Sequence, residues 1–185
     1  MNGFFIIYII GYVLKIEGFL MLAPVLCGIV YGEQEALGFF LCAAFTFLLG
    51  LVLSFKKPKN QVFYAKEGMI SVALSWIFMS LFGCIPFVLT GEIPGFTNAF
   101  FETVSGFTTT GSSILTNVEA LSHCALLWRS FTHWIGGMGV LVFILSILPI
   151  GAGTIHLMRA ESPGPQVEKI VPKMKDTSKI LYVIY

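Results

Sequence analysis

The sequence predicts an all-α, polytopic membrane protein, and three observations carry that prediction. Charged residues make up 11% of the 185 and hydrophobic ones 56%, at a mean hydropathy of +0.86. Soluble domains carry roughly 25% charged residues, so a water-facing exterior cannot be covered here. Apolar segments recur that are each long enough to cross a bilayer, for which roughly 20 residues suffice. Between the third and fourth lies Phe100-Phe101-Glu102-Thr103-Val104-Ser105-Gly106-Phe107-Thr108-Thr109-Thr110-Gly111-Ser112-Ser113, which is too polar and too short to cross.

The first span runs from Phe4 to Tyr31, and Pro24 is expected to bend it near its far end. It is too long and too mixed for a secretory signal, so it is expected to stay as a span. Lys15 and Glu17 interrupt it. Two residues apart on a helix, they point to different faces and cannot easily pair. Such a charge usually faces protein or water and marks function. The plainer reading is preferred: Lys15 snorkels, or each ion meets a neighbour from another span.

Gly32-Glu33-Gln34-Glu35 turns the chain into the second span, Leu37 to Phe55, so residues 1–55 hold two leading helices. Residues 56–68 form a basic connector, broken by Pro58 and Asn60. The third span is Met69 to Leu89, with Pro86 near its far end. The fourth is Cys124 to Leu148, closed by Pro149. Trp128 and Trp134 near one end of it suit an interfacial aromatic belt, and Arg129 beside them reaches headgroups or pairs with protein. Gly136-Gly137-Met138-Gly139 lets helix backbones approach closely, and packing against the polar stretch is one case of that. Residues 69–148 thus form one span–hairpin–span unit, 149–179 a polar linker, and 180–185 the start of another apolar segment.

Inside that unit, a short helix is expected from about Phe96. It cannot sensibly continue through three threonines and a glycine. Non-helical backbone at membrane depth is tolerated only where it is buried in protein or lines a water-filled cavity. The stretch therefore reads either as a re-entrant hairpin, whose freed carbonyls replace the water shell of a cation, or as a surface loop. Phe96, Phe100, Phe101 and Phe107 favour re-entry. The basic residues add to this. The 32–36 turn has no Lys or Arg, the 56–66 connector has four lysines, Thr90 to Leu127 has none, and the linker has five through Lys179. The excess marks the cytoplasmic side, so the amino terminus is inside and the hairpin enters from outside. One such unit cannot enclose an ion, whereas four around an axis can.

Other chemistries fit poorly. The glycines at 106 and 111 have the spacing of a phosphate loop, but the lysine and the βαβ context are missing. Four cysteines at 27, 42, 84 and 124 form no close pair, and three histidines share no ligand spacing, so neither a disulfide framework nor a metal site is expected. Nor do a nucleophile, base and acid arrange themselves visibly, and Glu102 reads as a structural acceptor rather than a catalytic acid. The chain is expected not to be an enzyme.

The segments Ala99-Phe100-Phe101-Glu102, Thr108-Thr109-Thr110-Gly111, Trp128 through Gly139, Ile147-Leu148-Pro149 and Arg159-Ala160-Glu161-Ser162-Pro163-Gly164-Pro165, in that order, resemble the TrkH branch of the Trk/Ktr/HKT potassium transporters. The resemblance implies four span–pore helix–span repeats around one pore, preceded by two extra spans. This chain would then hold the leading pair, the first repeat and the first residues of the second, as a fragment or a truncated product. It implies potassium as the transported substrate, with no cofactor, and a filter strand of Thr109, Thr110, Gly111 and Ser112, with Thr108 at its inner edge. Glycine at the position of Gly111 goes with potassium selectivity in that family, and serine there goes with sodium. It further implies a homodimer at full length, a cytosolic nucleotide-binding regulatory ring, membrane lipid as surroundings and no nucleic acid. The location implied is the plasma membrane, multi-pass. The alternatives are a small pore-loop cation channel made of four copies of this chain, or an intramembrane enzyme.

Overall fold

The computed structural model describes residues 3–56 and 65–139. Most of the 56–68 connector, the far end of the fourth predicted span, the linker and the 180–185 segment lie outside them. Among the described residues there are seven α-helices and one 3-10 turn: α1 (Gly3–Leu20), α2 (Leu22–Tyr31), α3 (Glu35–Leu53), α4 (Ala65–Gly83), α5 (Ile85–Leu89), α6 (Phe96–Phe107), the turn Val118–Ala120, and α7 (His123–Met138). No strand occurs among them. Among the described residues, three stretches are long and apolar enough to cross a membrane: Gly3–Tyr31, Glu35–Leu53 and Glu67–Leu89.

Two prolines set the breaks. A helix-interior proline lacks an N–H and its ring crowds the carbonyl four residues earlier. Pro24 acts on Leu20, where α1 stops, and Pro86 acts on Phe82, just before α4 stops at Gly83. The bend expected at Pro24 falls a turn earlier than the proline, and the third span breaks in the same way ahead of Pro86. α3 ends at Leu53 rather than Phe55, and the Ser54 hydroxyl turns back to the Gly50 carbonyl at 2.7 Å.

α1 and α3 pack backbone to backbone. A β-carbon on Gly18 would stand 2.7 Å from Phe47 N, and one on Gly50 would stand 2.6 Å from Lys15 N. In lipid, where burial of apolar surface between helices gains little, such close approach is what holds helices together. Ile6, Ile10 and Leu14 of α1 fill the angle between α3 and α4 with Leu49, Leu53, Ile70, Leu74 and Phe78. Lys15 sets its Nζ 3.5 Å from the Tyr12 ring centroid, a cation–π contact within its own span.

α6 is cradled between α4, α5 and α7. Its last residue, Phe107, meets Trp76 and Trp128 edge-on, each at 6.4 Å between centroids. This corrects the aromatic-belt expectation for Trp128. The residue is 0% exposed, and its indole N–H donates to the Gly83 carbonyl at 2.9 Å, capping the end of α4. Trp134, by contrast, is 44% exposed.

Candidate functional site: the Thr-Gly hairpin

α6 is fixed at the C-terminal end of its buried face. Gly106 and Gly136 let it touch α7: a β-carbon on Gly106 would overlap Thr132 Oγ1, and one on Gly136 would overlap the Phe107 carbonyl. The glycine run of the fourth predicted span thus serves, at Gly136, to seat the end of the hairpin helix.

The helix then stops by its own chemistry. The Thr109 N–H donates to the Gly106 carbonyl at 2.9 Å, and the Thr110 N–H donates to the Ser105 carbonyl at 3.0 Å. This bond pair is a Schellman motif, which puts one residue in the left-handed region. That residue is Thr109, at φ +54, where glycine is usual. Backbone of this kind costs a β-branched residue about 1–2 kcal/mol and persists only where its surroundings hold it. Gly111 is left-handed as well, at φ +75. The sequence does not announce Thr109, because no side-chain pattern marks a threonine for this role.

Beyond Thr110 the chain runs without secondary structure back along α6. Ser105 Oγ donates to the Ser112 carbonyl at 2.5 Å. Glu102, buried on α6, collects three donors: Ser113 Oγ at 2.9 and 3.1 Å, the Ile114 N–H at 3.0 Å, and Arg129 Nε of α7 at 2.7 Å. Arg129 therefore pairs with protein rather than headgroups, and Glu102 is the structural acceptor its isolation in the sequence implied. One carboxylate joins helix, returning strand and α7. A charge-assisted cluster of this kind is short and strong in a low-dielectric setting.

The five predicted site residues lie together on this strand. Thr108, Thr109, Thr110, Gly111 and Ser112 are all exposed, and the space beside Gly111 is open. The Thr108 hydroxyl donates to the Val104 carbonyl at 2.7 Å and lies 2.8 Å from the Thr110 hydroxyl. The carbonyls of Thr108, Thr109, Thr110 and Gly111 accept no hydrogen bond among the described residues. Four successive main-chain oxygens are thus left without a donor among the described residues in an exposed stretch, which is tied back to α6 through Ser105 and Glu102.

Two further carboxylates frame the hairpin from the start of α7. Glu92 accepts from the Ser122 N–H at 3.2 Å. Glu33, in the turn before α3, accepts from the His123 N–H at 2.7 Å, His123 Nδ1 at 2.7 Å and the Cys124 N–H at 3.0 Å. Partial burial works to raise the Glu33 pKa, but the His123 and Cys124 hydrogen bonds outweigh it and hold the carboxyl down at about 2. The positive end of the α7 dipole acts in the same direction. Tyr31 lies flat on the His123 ring, with centroids 3.9 Å apart.

A family model described as TrkH, cation transport protein, matches residues 34–185. The chain belongs to the TrkH family. It is 34% identical over 183 residues to the Trk system potassium uptake protein TrkH of Escherichia coli (strain K12), which covers 96% of this chain and 38% of that protein. It is 32% identical over 184 residues to the TrkH protein of Halomonas elongata, covering 97% of this chain and 38% of the other. Among solved structures it resembles the crystal structure of the potassium transporter TrkH from Vibrio parahaemolyticus, at a TM-score of 0.77 and 27% identity, over 100% of this chain and 37% of that one. The chain therefore spans a little over a third of the length of these relatives. TrkH membership and the apolar helices make this a membrane protein of a cation transporter family, not of an enzyme family.

Proposed function

We propose that this chain supplies one of four filter strands of a potassium uptake pore, with Thr109, Thr110, Gly111 and Ser112 as the strand and Thr108 at its inner edge. The observation that carries the reading is the run of main-chain oxygens from Thr108 to Gly111 that accept no hydrogen bond among the described residues, in a stretch that is exposed throughout. Rings of such oxygens replace the hydration shell of an ion in potassium-selective pores. The Ser112 carbonyl, already accepting from Ser105, has one lone pair left for the ion. The names of the relatives, potassium uptake proteins, support the same substrate.

In this reading residues 1–55 are two leading spans, 56–68 a cytoplasmic connector and 69–148 the first repeat, with α6 as its pore helix. Residues 149–179 are a cytoplasmic linker, and the second repeat starts at 180. The amino terminus is cytoplasmic and the chain multi-pass. The working unit is a homodimer gated by a cytosolic nucleotide-binding ring, each protomer holding four such repeats around its pore. The substitution Gly111→Ser in the complete transporter tests the reading. It should lower potassium-over-sodium discrimination in uptake assays at least several-fold while leaving expression intact. Unchanged discrimination would remove the assigned strand from the filter.

A further inference from the structure

Six buried side-chain oxygens find no hydrogen-bond partner among the described residues, and all lie on α1, α3 and α4: Glu17 Oε1 and Oε2, Thr46 Oγ1, Glu67 Oε2, Ser71 Oγ and Ser75 Oγ. Glu67, Ser71 and Ser75 stand four residues apart, on one face of α4. Glu17 is the sharpest case. It is 1% exposed, and neither of its oxygens meets a donor. An isolated carboxylate in such a setting costs far more than a lost hydrogen bond.

Its place is specific. A β-carbon on Gly83 would stand 2.9 Å from Glu17 Oε1, 3.0 Å from Phe107 Cε2 and 3.1 Å from Thr103 Cγ2. The Glu17 carboxyl therefore sits at the break between α4 and α5, where the last turn of α6 comes down and where Trp128 holds the Gly83 carbonyl. Among the described residues no cation is free to reach it. Lys15 lies over Tyr12, and Arg129 of α7 is committed to Glu102 on α6. α4 contributes Glu67, about 24 Å down the helix from Gly83 at 1.5 Å per residue. The ionisable group shown beside it is the Cys84 thiol, just before α5, whose Sγ donates to the Leu81 carbonyl at 3.2 Å.

We propose that Glu17 is a proton-binding site, its carboxyl held in the fold as the neutral acid beneath the filter hairpin. The site is separate from the open strand, so it stands whether or not that strand conducts potassium.

Infrared difference spectroscopy on the complete protein in lipid tests this. At neutral pH, where solvent-exposed carboxyls are ionised, the wild type should show the carbonyl stretch of a buried protonated carboxylic acid. Glu17→Gln, which has the shape and neutrality of the acid, should remove that band and leave the thermal midpoint essentially unchanged. Glu17→Asp, which keeps the carboxyl, should shift the band rather than remove it. A wild-type spectrum without the band, or a band unaltered in both variants, overturns the proposal.

Discussion

Glu102 is the residue whose removal should most disturb the hairpin, and the pair it forms with Arg129 can be measured. The carboxylate is 2% exposed and holds Ser113, Ile114 and Arg129 together. Removing Arg129, as in Arg129→Gln, leaves a buried charge with two neutral donors, a loss of about 3–5 kcal/mol when a buried pair is broken. Glu102→Gln keeps the volume but replaces one acceptor oxygen with an N–H₂ group facing groups that are themselves donors. It should cost about 2–3 kcal/mol. The double variant removes both charges at once, so it should be less damaging than the sum of the two, with a coupling of at least about 1–2 kcal/mol. The assay is thermal or denaturant unfolding of the complete transporter in detergent, paired with potassium and sodium uptake. Glu102→Gln should also blur ion discrimination, because the strand loses part of its anchor at Ser113 and Ile114. Additivity within about 0.5 kcal/mol, with discrimination intact, would refute the idea that this carboxylate positions the strand.

Two further predictions follow from the same geometry. Gly136→Ala puts a methyl group into the Phe107 carbonyl, and because the obstacle is backbone the cost should reach about 1–3 kcal/mol, read as a lower unfolding midpoint with reduced uptake. Glu33→Gln should destabilise the protein by roughly 1–3 kcal/mol at pH 7, after allowance for solvent screening of a partly exposed site. A carboxyl whose folded pKa is depressed contributes its stability above the ordinary carboxylate pKa and loses it as pH falls toward about 2. The gap between wild type and variant should therefore close between pH 4.5 and 2, and a gap independent of pH would show that the Glu33 charge is not what matters.

Much of this architecture is written locally and was legible as such. Length and apolarity mark the spans, because crossing hydrocarbon demands a certain number of residues whatever surrounds them. Thr108-Thr109-Thr110-Gly111 ends a helix wherever it stands, since β-branched residues and glycine propagate helices poorly. Pro24 and Pro86 break their helices through a clash within one turn. The approximate start of α6 at Phe96 and the grouping of the five candidate site residues on one non-helical strand follow from these rules alone.

What the tertiary structure decided is which side chains meet across elements, where spacing along the chain carries no information. Trp128 has the composition of an interfacial anchor, but its position opposite Gly83 and Phe107 makes it a core residue. Glu102 and Arg129, 27 residues apart, become one cluster only because α6 and α7 pack together. Thr109 takes a left-handed backbone because the Schellman bonds and the Glu102 anchor fix the strand on either side of it, against its own preference. Glu17 was visible as an awkward charge in an apolar span. Only the packing of α1 against Gly83 shows it enclosed and unpaired, since burial belongs to the assembled bundle and not to any one helix.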